Sequence, residues 1–443
     1  MKEILELIMN NNFVETRNQL LTKNPVDIAH FLEEIPPEKA LMVFRILPKD
    51  LGADVFAYMS SEQQKYIIGN INDKEIRLIL DELFLDDTID FLEEMPANFV
   101  KKVLRSADEN TRVLLNQFLA YPENSAGSVM TIEYVDLKKE MTVTQALAHI
   151  KKTGVDKETI NTCFVVDHNR KLEGIVSIRK LILNDDDVKI KDIMETNIIY
   201  AHTLNDQEEV ADRFRKYDLF SMPVVDKENR LVGIITIDDI LDIIEEENTE
   251  DFQRMAGIEP TEKEYLRTGP LNLAKHRVAW LLILMISATF TGNIIKRFED
   301  VLQTVVLLAA FIPMLMDTGG NAGSQSSTLI IRGLALGEIK IGDIFKIIRK
   351  EFAVGTIVGT VLAGVNLLRL YFIEKVGLAI SIAVCISLFF TVLLANLVGG
   401  VLPIFAKRFK VDPAIMASPL ITTIVDAAAL LIYFTVATRL LAL

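Results

Sequence analysis

The sequence predicts a multidomain chain: an α-helical superhelical N domain, a tandem pair of α/β modules, an acidic connecting helix, and an all-α membrane domain of five transmembrane helices. Three observations carry this expectation. Half of the 443 residues are hydrophobic and mean hydropathy is +0.29, yet 24% are charged, a combination that implies two unlike parts. Apolar runs long enough to cross a bilayer begin only after Leu271. Two different internal repeats occupy the residues before it.

The N domain is expected over residues 1–125. Apolar positions recur at helical spacing, as in Ile28, Phe31, Leu32 and Ile35, prolines and acids punctuate short turns, and no run alternates like a strand. FLEEIPP from Phe31 reappears as FLEEMPA from Phe91, each entered by an Asp-containing helix start and followed by another apolar helix. A curved α-solenoid follows from such a repeat.

From Ala126 the texture changes. CFVVDHNRKLEGIVSIRKLI (Cys163 to Ile182) is matched by MPVVDKENRLVGIITIDDIL (Met222 to Leu241), each a β-run, an Asp-led turn, a Gly, a β-run and a helix start. Two modules are therefore expected, over 126–190 and 191–245. Asp238 to Met255 reads as one acidic helix within a connector at 238–270. Its apolar positions Ile240, Ile243 and Ile244 leave Asp242, Glu246, Glu250 and Asp251 to line a face, either as a solvated connector or as a charge sensor.

The membrane domain, 271–443, divides into spans at Val278–Ile295, Val301–Ile331, Phe352–Ile373, Leu378–Ala406 and Pro413–Leu443. Basic residues are unevenly shared between the loops. Lys275 and Arg277 precede span one, Arg332, Lys340, Lys346, Arg349 and Lys350 separate spans two and three, and Lys407, Arg408 and Lys410 separate spans four and five. The opposite side has Lys296, Arg297 and Lys375, with Arg369 near a span end where it would snorkel. The positive-inside rule then puts the N-terminal half in the cytoplasm and Leu443 outside.

From Leu271 onward there are 15 Lys+Arg and 9 Asp+Glu, a balance of +6; against −14 for the whole chain, this leaves −20 for the first 270 residues. Such a charge repels nucleic acid and favours cations as small partners, although solubility alone would also explain most of it. Two cysteines, Cys163 and Cys385, give no disulfide framework and no zinc-ligand spacing, as fits a reducing cytoplasm. MKEILELIMNNN opens an amphipathic acidic helix, so no cleaved signal peptide is expected.

Two segments carry chemistry. Span two contains PMLMDTGGNAGSQSSTLIIRG, from Pro313, in which Gly319, Gly320 and Gly323 permit close helix approach or a break, while Asn321, Ser324, Gln325, Ser326, Ser327 and Thr328 supply polar groups. A small-residue packing interface is the competing explanation. Asp317 there is either a pore acid or a residue at a water-exposed break. In span five, Asp412 suits an N-cap and Pro413 a helix start; Pro419 is expected to free a carbonyl within the span, with Thr422, Thr423 and Asp426 one turn on. Asp426 is the only charged residue between Asp412 and Arg439. A carboxylate at membrane depth is costly unless partnered, and so marks an ion pathway more often than packing against Thr422 or Thr423. Carbonyl, hydroxyl and carboxylate oxygens without soft ligands suit a hard cation, Mg2+ ahead of Ca2+ or Mn2+. Five spans in one chain show no inverted repeat, so a symmetric dimer with a pore on its twofold axis is the natural way to face two Asp426 carboxylates across a hydrated ion.

PMLMDTGGNAGSQ and DPAIMASPLITTIVD, behind tandem modules ending GIVSI and GIITIDD, resemble the MgtE family of magnesium channels over essentially the whole chain. The resemblance implies an N domain, two CBS domains, a plug helix and five membrane helices in a homodimer, with Asp426 as the main pore ligand. It also implies closure by intracellular Mg2+ bound between acidic surfaces, here Asp86, Asp90, Glu208, Asp218, Asp239, Asp242, Glu247, Glu250 and Asp251. Where the family often has an acid before the first span this chain has Arg267, with Glu262 and Glu264 nearby. Some members bind ATP between the CBS domains. Thr236 and Asp239 match the Thr-x-x-Asp ribose contact, whereas Ser177 and Lys180 do not, so at most one nucleotide site is expected.

The expected function is a Mg2+-selective channel or transporter for Mg2+ uptake in the cell (plasma or inner) membrane. The alternatives are an H+- or Na+-coupled divalent-cation carrier and a non-transporting membrane sensor. No enzyme is expected: there is no Walker loop, and no Ser/His/Asp arrangement stands out among five histidines.

Overall fold

The computed structural model describes residues 2–261, 265–266 and 268–442, so Glu262, Glu264 and Arg267 lie outside the described residues. The chain forms two units, Met1–Ile244 and Glu245–Leu443.

The first unit begins with ten helices: α1 Lys2–Met9, α2 Phe13–Leu20, α3 Pro25–Glu34, α4 Pro37–Ile46, α5 Lys49–Ala57, α6 Ser61–Asn70, α7 Asp73–Leu80, α8 Leu85–Glu93, α9 Ala97–Ser106 and α10 Glu109–Phe118. All are shorter than an isolated helix needs in water, so packing holds them. Side chains fix their starts. Asn24 accepts from the Val26 N–H ahead of α3, Asn72 and Glu75 form a capping box on α7, and Asp108 accepts from the Thr111 N–H on α10. The FLEE repeat marks equivalent joints: each copy ends one helix, and the proline after it, Pro36 or Pro96, caps the next. Most helices pack on neighbours two or three places along, as a solenoid requires, and α1–α2, α3–α4 and α9–α10 also pack as adjacent pairs. Phe56 of α5 meets Phe91 of α8 edge-on, with centroids 5.1 Å apart.

Two equivalent modules follow. The first has β1 Asp136–Leu137, α11 Val143–Thr153, β2 Thr162–Val166, β3 Leu172–Ser177 and α12 Ile178–Leu183; after α13 Ile190–Ile193, the second has β4 Ala201–His202, α14 Gln207–Tyr217, β5 Ser221–Val225 and β6 Leu231–Thr236. In each sheet the short first strand runs parallel to the second, which pairs antiparallel with the third. Both hairpins carry a register shift at the same place, Val165/Val166 and Val224/Val225. The lead segment of each module pairs with the last strand of the other, Thr131 with Ile234 and Glu195 with Ile175. At Gly233 that crossing leaves no room for a side chain: a Cβ would lie 2.7 Å from Met130 Sδ and 2.8 Å from the Thr131 carbonyl oxygen. One hydrophobic core runs from the N-domain helices into the second module through Met130, Phe214, Met222, Val224, Ile235 and Ile240. The first module keeps its own core around Val143, Cys163, Val165 and Leu181.

Helix α15, Ile237–Met255, is the expected acidic connector. Beyond it come α16 Pro270–Arg297, α17 Glu299–Thr304, α18 Ile312–Ala335, α19 Ile344–Leu368, α20 Leu378–Arg408 and α21 Ser418–Leu441. Among the described residues, five helical segments are long and apolar enough to cross a membrane. The second expected span, Val301–Ile331, is not one helix. Val305 leaves the helical region (φ −130, ψ 78), a 3-10 turn covers Val306–Phe311, and α18 starts with Pro313 in its first turn, where the missing N–H costs nothing. Gly319, Gly320 and Gly323 then lie inside an unbroken helix, so close approach and not a break is their use.

Span five is divided too. Asp412 accepts from the Ala414 N–H at 2.8 Å and starts a 3-10 turn, Pro413–Met416; extended Ala417 then precedes α21. Pro419 therefore sits in the first turn of α21 and frees no interior carbonyl, contrary to expectation. Arg369 does not simply snorkel: in the π-turn Arg369–Ile373 its Nε donates to Asn366 Oδ1 at 3.2 Å and its Nη1 lies 3.5 Å from Glu374.

Candidate functional site

Helices α18 and α21 frame a cleft of about 450 Å3 lined by Ile312, Pro313, Met316, Asp317, Gly320, Asn321, Thr422 and Asp426. Asp317 and Asn321 are one turn apart, and Gln325 is one turn further; all three are exposed on one face of α18. A run of carboxylate and amide groups does not suit contact with lipid. Thr422 Oγ1 and Thr423 Oγ1 both donate to the Pro419 carbonyl oxygen, at 2.9 and 3.0 Å, so these hydroxyls turn away from Asp426. Among the described residues, no lysine, arginine or histidine nitrogen lies within 4.0 Å of either carboxylate. The cleft thus gathers two acids, an amide and a threonine without a protein counter-ion, a set suited to a hard, partly hydrated cation.

The glycines hold this cleft from behind. A Cβ on Gly319 would lie 2.6 Å from Thr391 Cγ2, one on Gly320 2.9 Å from Thr422 Cγ2, and one on Gly323 2.7 Å from Ile421 Cγ2. Gly319 and Gly323 are buried packing positions outside the cleft lining, and Pro419 and Thr423 also lie outside it; Pro313, Gly320, Asn321, Thr422 and Asp426 line it.

In the first unit the expected sensor residues are only partly gathered. Asp86, at the start of α8, is buried and accepts from the Asp87 N–H at 3.0 Å. Burial first, then the charges of Asp239, Asp87 and Glu158, hold its carboxyl well above the usual range. Asp239 is pushed to about 7 by burial, opposed by the Thr236 hydrogen bond and aided by Asp238. Sequence reasoning missed Asp87, Asp238 and Glu158 in this cluster. Asp87 is raised to about 6 by burial, then Asp238 and Asp54; Glu158 is raised to about 7 by burial, then Asp238 and Asp239. The paired acids Asp86-Asp87 and Asp238-Asp239, each in the first turn of a helix, were the available signal; Glu158, in a loop, had none.

The other acids are dispersed. Asp90 is exposed one turn beyond Asp86, and Asp242 is exposed on α15. Glu208 and Asp218 occupy opposite ends of α14, roughly 15 Å apart along its axis. In the second unit, Glu247, Glu250 and Asp251 follow along α15. Glu250 does not stand open on its face: Arg254, one turn on, bridges it to Asp412. Asp251 is raised by burial, then by Asp412 and Glu250. Among the described residues, no three His, Cys, Asp or Glu side chains are grouped closely enough to hold a metal ion within this chain.

At the nucleotide candidate, Thr236 Oγ1 donates to Asp239 Oδ2 at 2.8 Å, next to a longer backbone N–H contact at 3.4 Å. This is also the reciprocal half of a helix capping box. At the equivalent place in the first module, Lys180 is paired with Glu195 at 2.6 Å, and Ser177 accepts from the Lys180 backbone N–H.

A unit of short helices and tandem modules, followed among the described residues by five membrane-length helices with an acid-lined cleft between two of them, defines a multi-pass membrane protein of the cation-transporter class. Sequence profiles agree: the divalent cation transporter profile matches residues 312–436, the MgtE intracellular N domain 23–124, and the CBS domain 126–185 and 190–246. The magnesium transporter MgtE of Thermus thermophilus is 38% identical over 422 residues, covering 94% of this chain and 93% of that protein. That of Bacillus subtilis is 33% identical, covering 98% and 96%. The crystal structure of the cytosolic domain of the Mg2+ channel MgtE in complex with ATP matches 54% of this chain and 98% of its own, at 36% identity and TM-score 0.52. The chain belongs to the MgtE family.

Proposed function

We propose that this chain mediates Mg2+ uptake across the cell (plasma or inner) membrane as a homodimeric, Mg2+-selective channel or transporter. The observation that carries the reading is the cleft in which Asp426 and Asp317 share space with Asn321 and Thr422, with no lysine, arginine or histidine among the described residues that line it. Mg2+ gives up water reluctantly, so carboxylates from two copies would bind it through its hydration shell. The magnesium transporters to which this chain is similar, aligned over nearly their whole lengths, support the choice of ion.

In this reading residues 271–443 form the pore, with the N-terminus cytoplasmic and the C-terminus outside. Residues 1–125, the modules at 126–190 and 191–245 and the connector at 238–270 form its controller. Mg2+ bound between acidic surfaces, including Asp86, Asp90, Glu208, Asp218, Asp239, Asp242, Glu247, Glu250 and Asp251, holds the pore closed. The repulsion among Asp86, Asp87, Glu158 and Asp239, which by themselves are not grouped closely enough to hold a metal ion, supports an ion shared with a facing acidic surface, because apposed buried carboxylates repel and a divalent ion reverses the sign of their interaction. Thr236 and Asp239 would contact the ribose of one adenine nucleotide.

The test is Mg2+ flux into liposomes carrying the full-length protein. Asp426→Asn is expected to lower flux by about tenfold or more, equivalent to roughly 1.4 kcal/mol; unchanged flux and selectivity would sink the pore assignment. If uptake instead follows an imposed pH or Na+ gradient beyond its electrical effect, the protein is a coupled carrier. Neutralising Glu247, Glu250 and Asp251 together is expected to keep the pore open at internal Mg2+ levels that close wild type, and unaltered closure rejects the gating role.

A further inference from the structure

Arg254 is the only basic residue of the acidic helix α15 and sits in its last turn. Its guanidinium fork is divided between two carboxylates: Nη2 pairs with Glu250 one turn back, and Nη1 donates to Asp412 Oδ2, 158 residues further along the chain. The other oxygen of Asp412, Oδ1, accepts from the Ala414 N–H at 2.8 Å and so fixes the 3-10 turn Pro413–Met416 that leads into α21. At the end of that turn the Met416 carbonyl accepts from Ser327 Oγ of α18 at 3.3 Å. Contacts therefore run without a gap from the connector helix to both helices that frame the cleft.

This joint is partly withdrawn from water, with the side chains of Arg254, Glu250 and Asp412 exposed by 32%, 29% and 25%. Among the described residues no other lysine, arginine or histidine nitrogen lies within 4.0 Å of Glu250 or Asp412. The charges of Asp412 and Glu250 also act on Asp251, and Arg254 opposes them there. Without the guanidinium, three carboxylates would repel one another at a single point. A planar, permanently charged fork can serve two acids at once with no metal ion. The backbone beyond it is held in place as well. Gln253 exchanges two hydrogen bonds with the Thr261 backbone, at 2.9 and 2.7 Å, and Gly257 turns the chain at φ +68. A Cβ on Gly257 would lie 3.1 Å from Pro419 Cγ of α21 and closer still to Trp280 of α16.

We propose that Arg254 is a positioning residue that joins the end of the connector helix to the head of span five whether or not Mg2+ is bound. A movement of α15 is passed through Arg254 to Asp412, to the Pro413–Met416 turn, and from that turn to α21 and, by way of Ser327, to α18. The inference deepens the gating reading and rests on it: the ion acts on the acids of the controller, and Arg254 delivers the result to the helices that carry Asp426 and Asp317.

Two measurements on full-length protein in liposomes test this. Amide hydrogen exchange in EDTA reads the joint alone and stands apart from the gating reading. The N–H groups of Ala256, Gly257 and Ile258, which donate to carbonyls of Phe252, Gln253 and Arg254, report on the end of α15. They should exchange about fivefold or more faster in Arg254→Met than in wild type or Arg254→Lys, the scale of one charged hydrogen bond. Arg254→Met as protected as wild type, or Arg254→Lys as exposed as Arg254→Met, overturns the proposal. Asp412→Asn, which keeps an acceptor for the Ala414 N–H, should show the same loss and keeps the test decisive should Arg254→Met fail to fold. The second arm is Mg2+ flux. In Arg254→Met, flux at low internal Mg2+ should stay within about twofold of wild type, while the internal Mg2+ needed for closure rises by roughly fivefold or more. Closure at an unchanged level overturns the proposal, and closure at a lower level does so too, since Arg254 would then be a competitor of the ion and not a joint. Wild-type flux that ignores internal Mg2+ sinks the gating reading and leaves the exchange arm to decide the joint.

Discussion

Gly399→Ala probes the contact that sets the spacing of the membrane helices. A Cβ at Gly399 would lie 2.2 Å from the Gly323 carbonyl oxygen, 3.0 Å from Gly323 C and 3.1 Å from Ser326 Cβ. An ordinary contact begins at 3.4 Å, so α18 and α20 must separate by about 1.2 Å (3.4 less 2.2). Two of the obstructing atoms are backbone, so no rotamer change relieves the clash. A gap of that size forfeits roughly a quarter to a half of the dispersion energy of each facing atom pair. Overpacking of this kind costs about 1–3 kcal/mol. Gly364 on α19 is the control: nothing lies within 4 Å of its Cβ position, so Ala there should stabilise the helix by about 0.5–1 kcal/mol. Denaturant unfolding in mild detergent measures both. The two substitutions should move the midpoint in opposite directions, and Gly399→Ala should also lower Mg2+ flux by displacing Asp317 and Asn321 from Thr422 and Asp426. A Gly399→Ala protein as stable and as active as wild type refutes the close-contact reasoning.

The acid cluster of the first unit gives a pH dependence. Asp87, raised to about 6, and Glu158 and Asp239, raised to about 7, bind protons more tightly folded than unfolded. Their contribution to stability is complete below about pH 4 and is lost as pH rises through about 6 to 7. Without divalent cations, hydrogen-exchange protection of α8 should fall over that window and recover with added Mg2+, while Asp87→Asn should flatten the profile; protection that rises with pH would contradict the assignment. For the nucleotide site, calorimetric titration of the full-length protein with ATP should give one site, lost in Asp239→Asn. Two sites, or a site indifferent to Asp239, would place nucleotide recognition elsewhere.

Much of this architecture was legible because it rests on local chemistry. Bilayer-length apolar runs, the FLEE repeat and the duplicated β-turn-β pattern each reflect periodicity along the chain, and each reappears in the structure in its expected order. Asp426 was conspicuous because a lone carboxylate in an apolar run is visible without knowledge of its neighbours. The break at Val305 was not, since hydropathy does not distinguish a 3-10 turn from a continuing helix. Nor was the engagement of Glu250 with Arg254 and Asp412, because Asp412 is remote along the chain.

By itself, then, the sequence determined the order of helices, strands and spans, though not where the second and fifth spans break, and which residue types could meet a hard cation, because those depend on spacing and composition. Tertiary structure alone decided which acids meet. Asp317 joins Asp426 in one cleft, Glu158 joins Asp86 and Asp239 across the first unit, and Glu351 turns inward to Ser326. The physical reason is that a carboxylate's burial and neighbours are set by helix crossings, and these depend on pairs such as Gly323 and Gly399 that lie far apart in the chain.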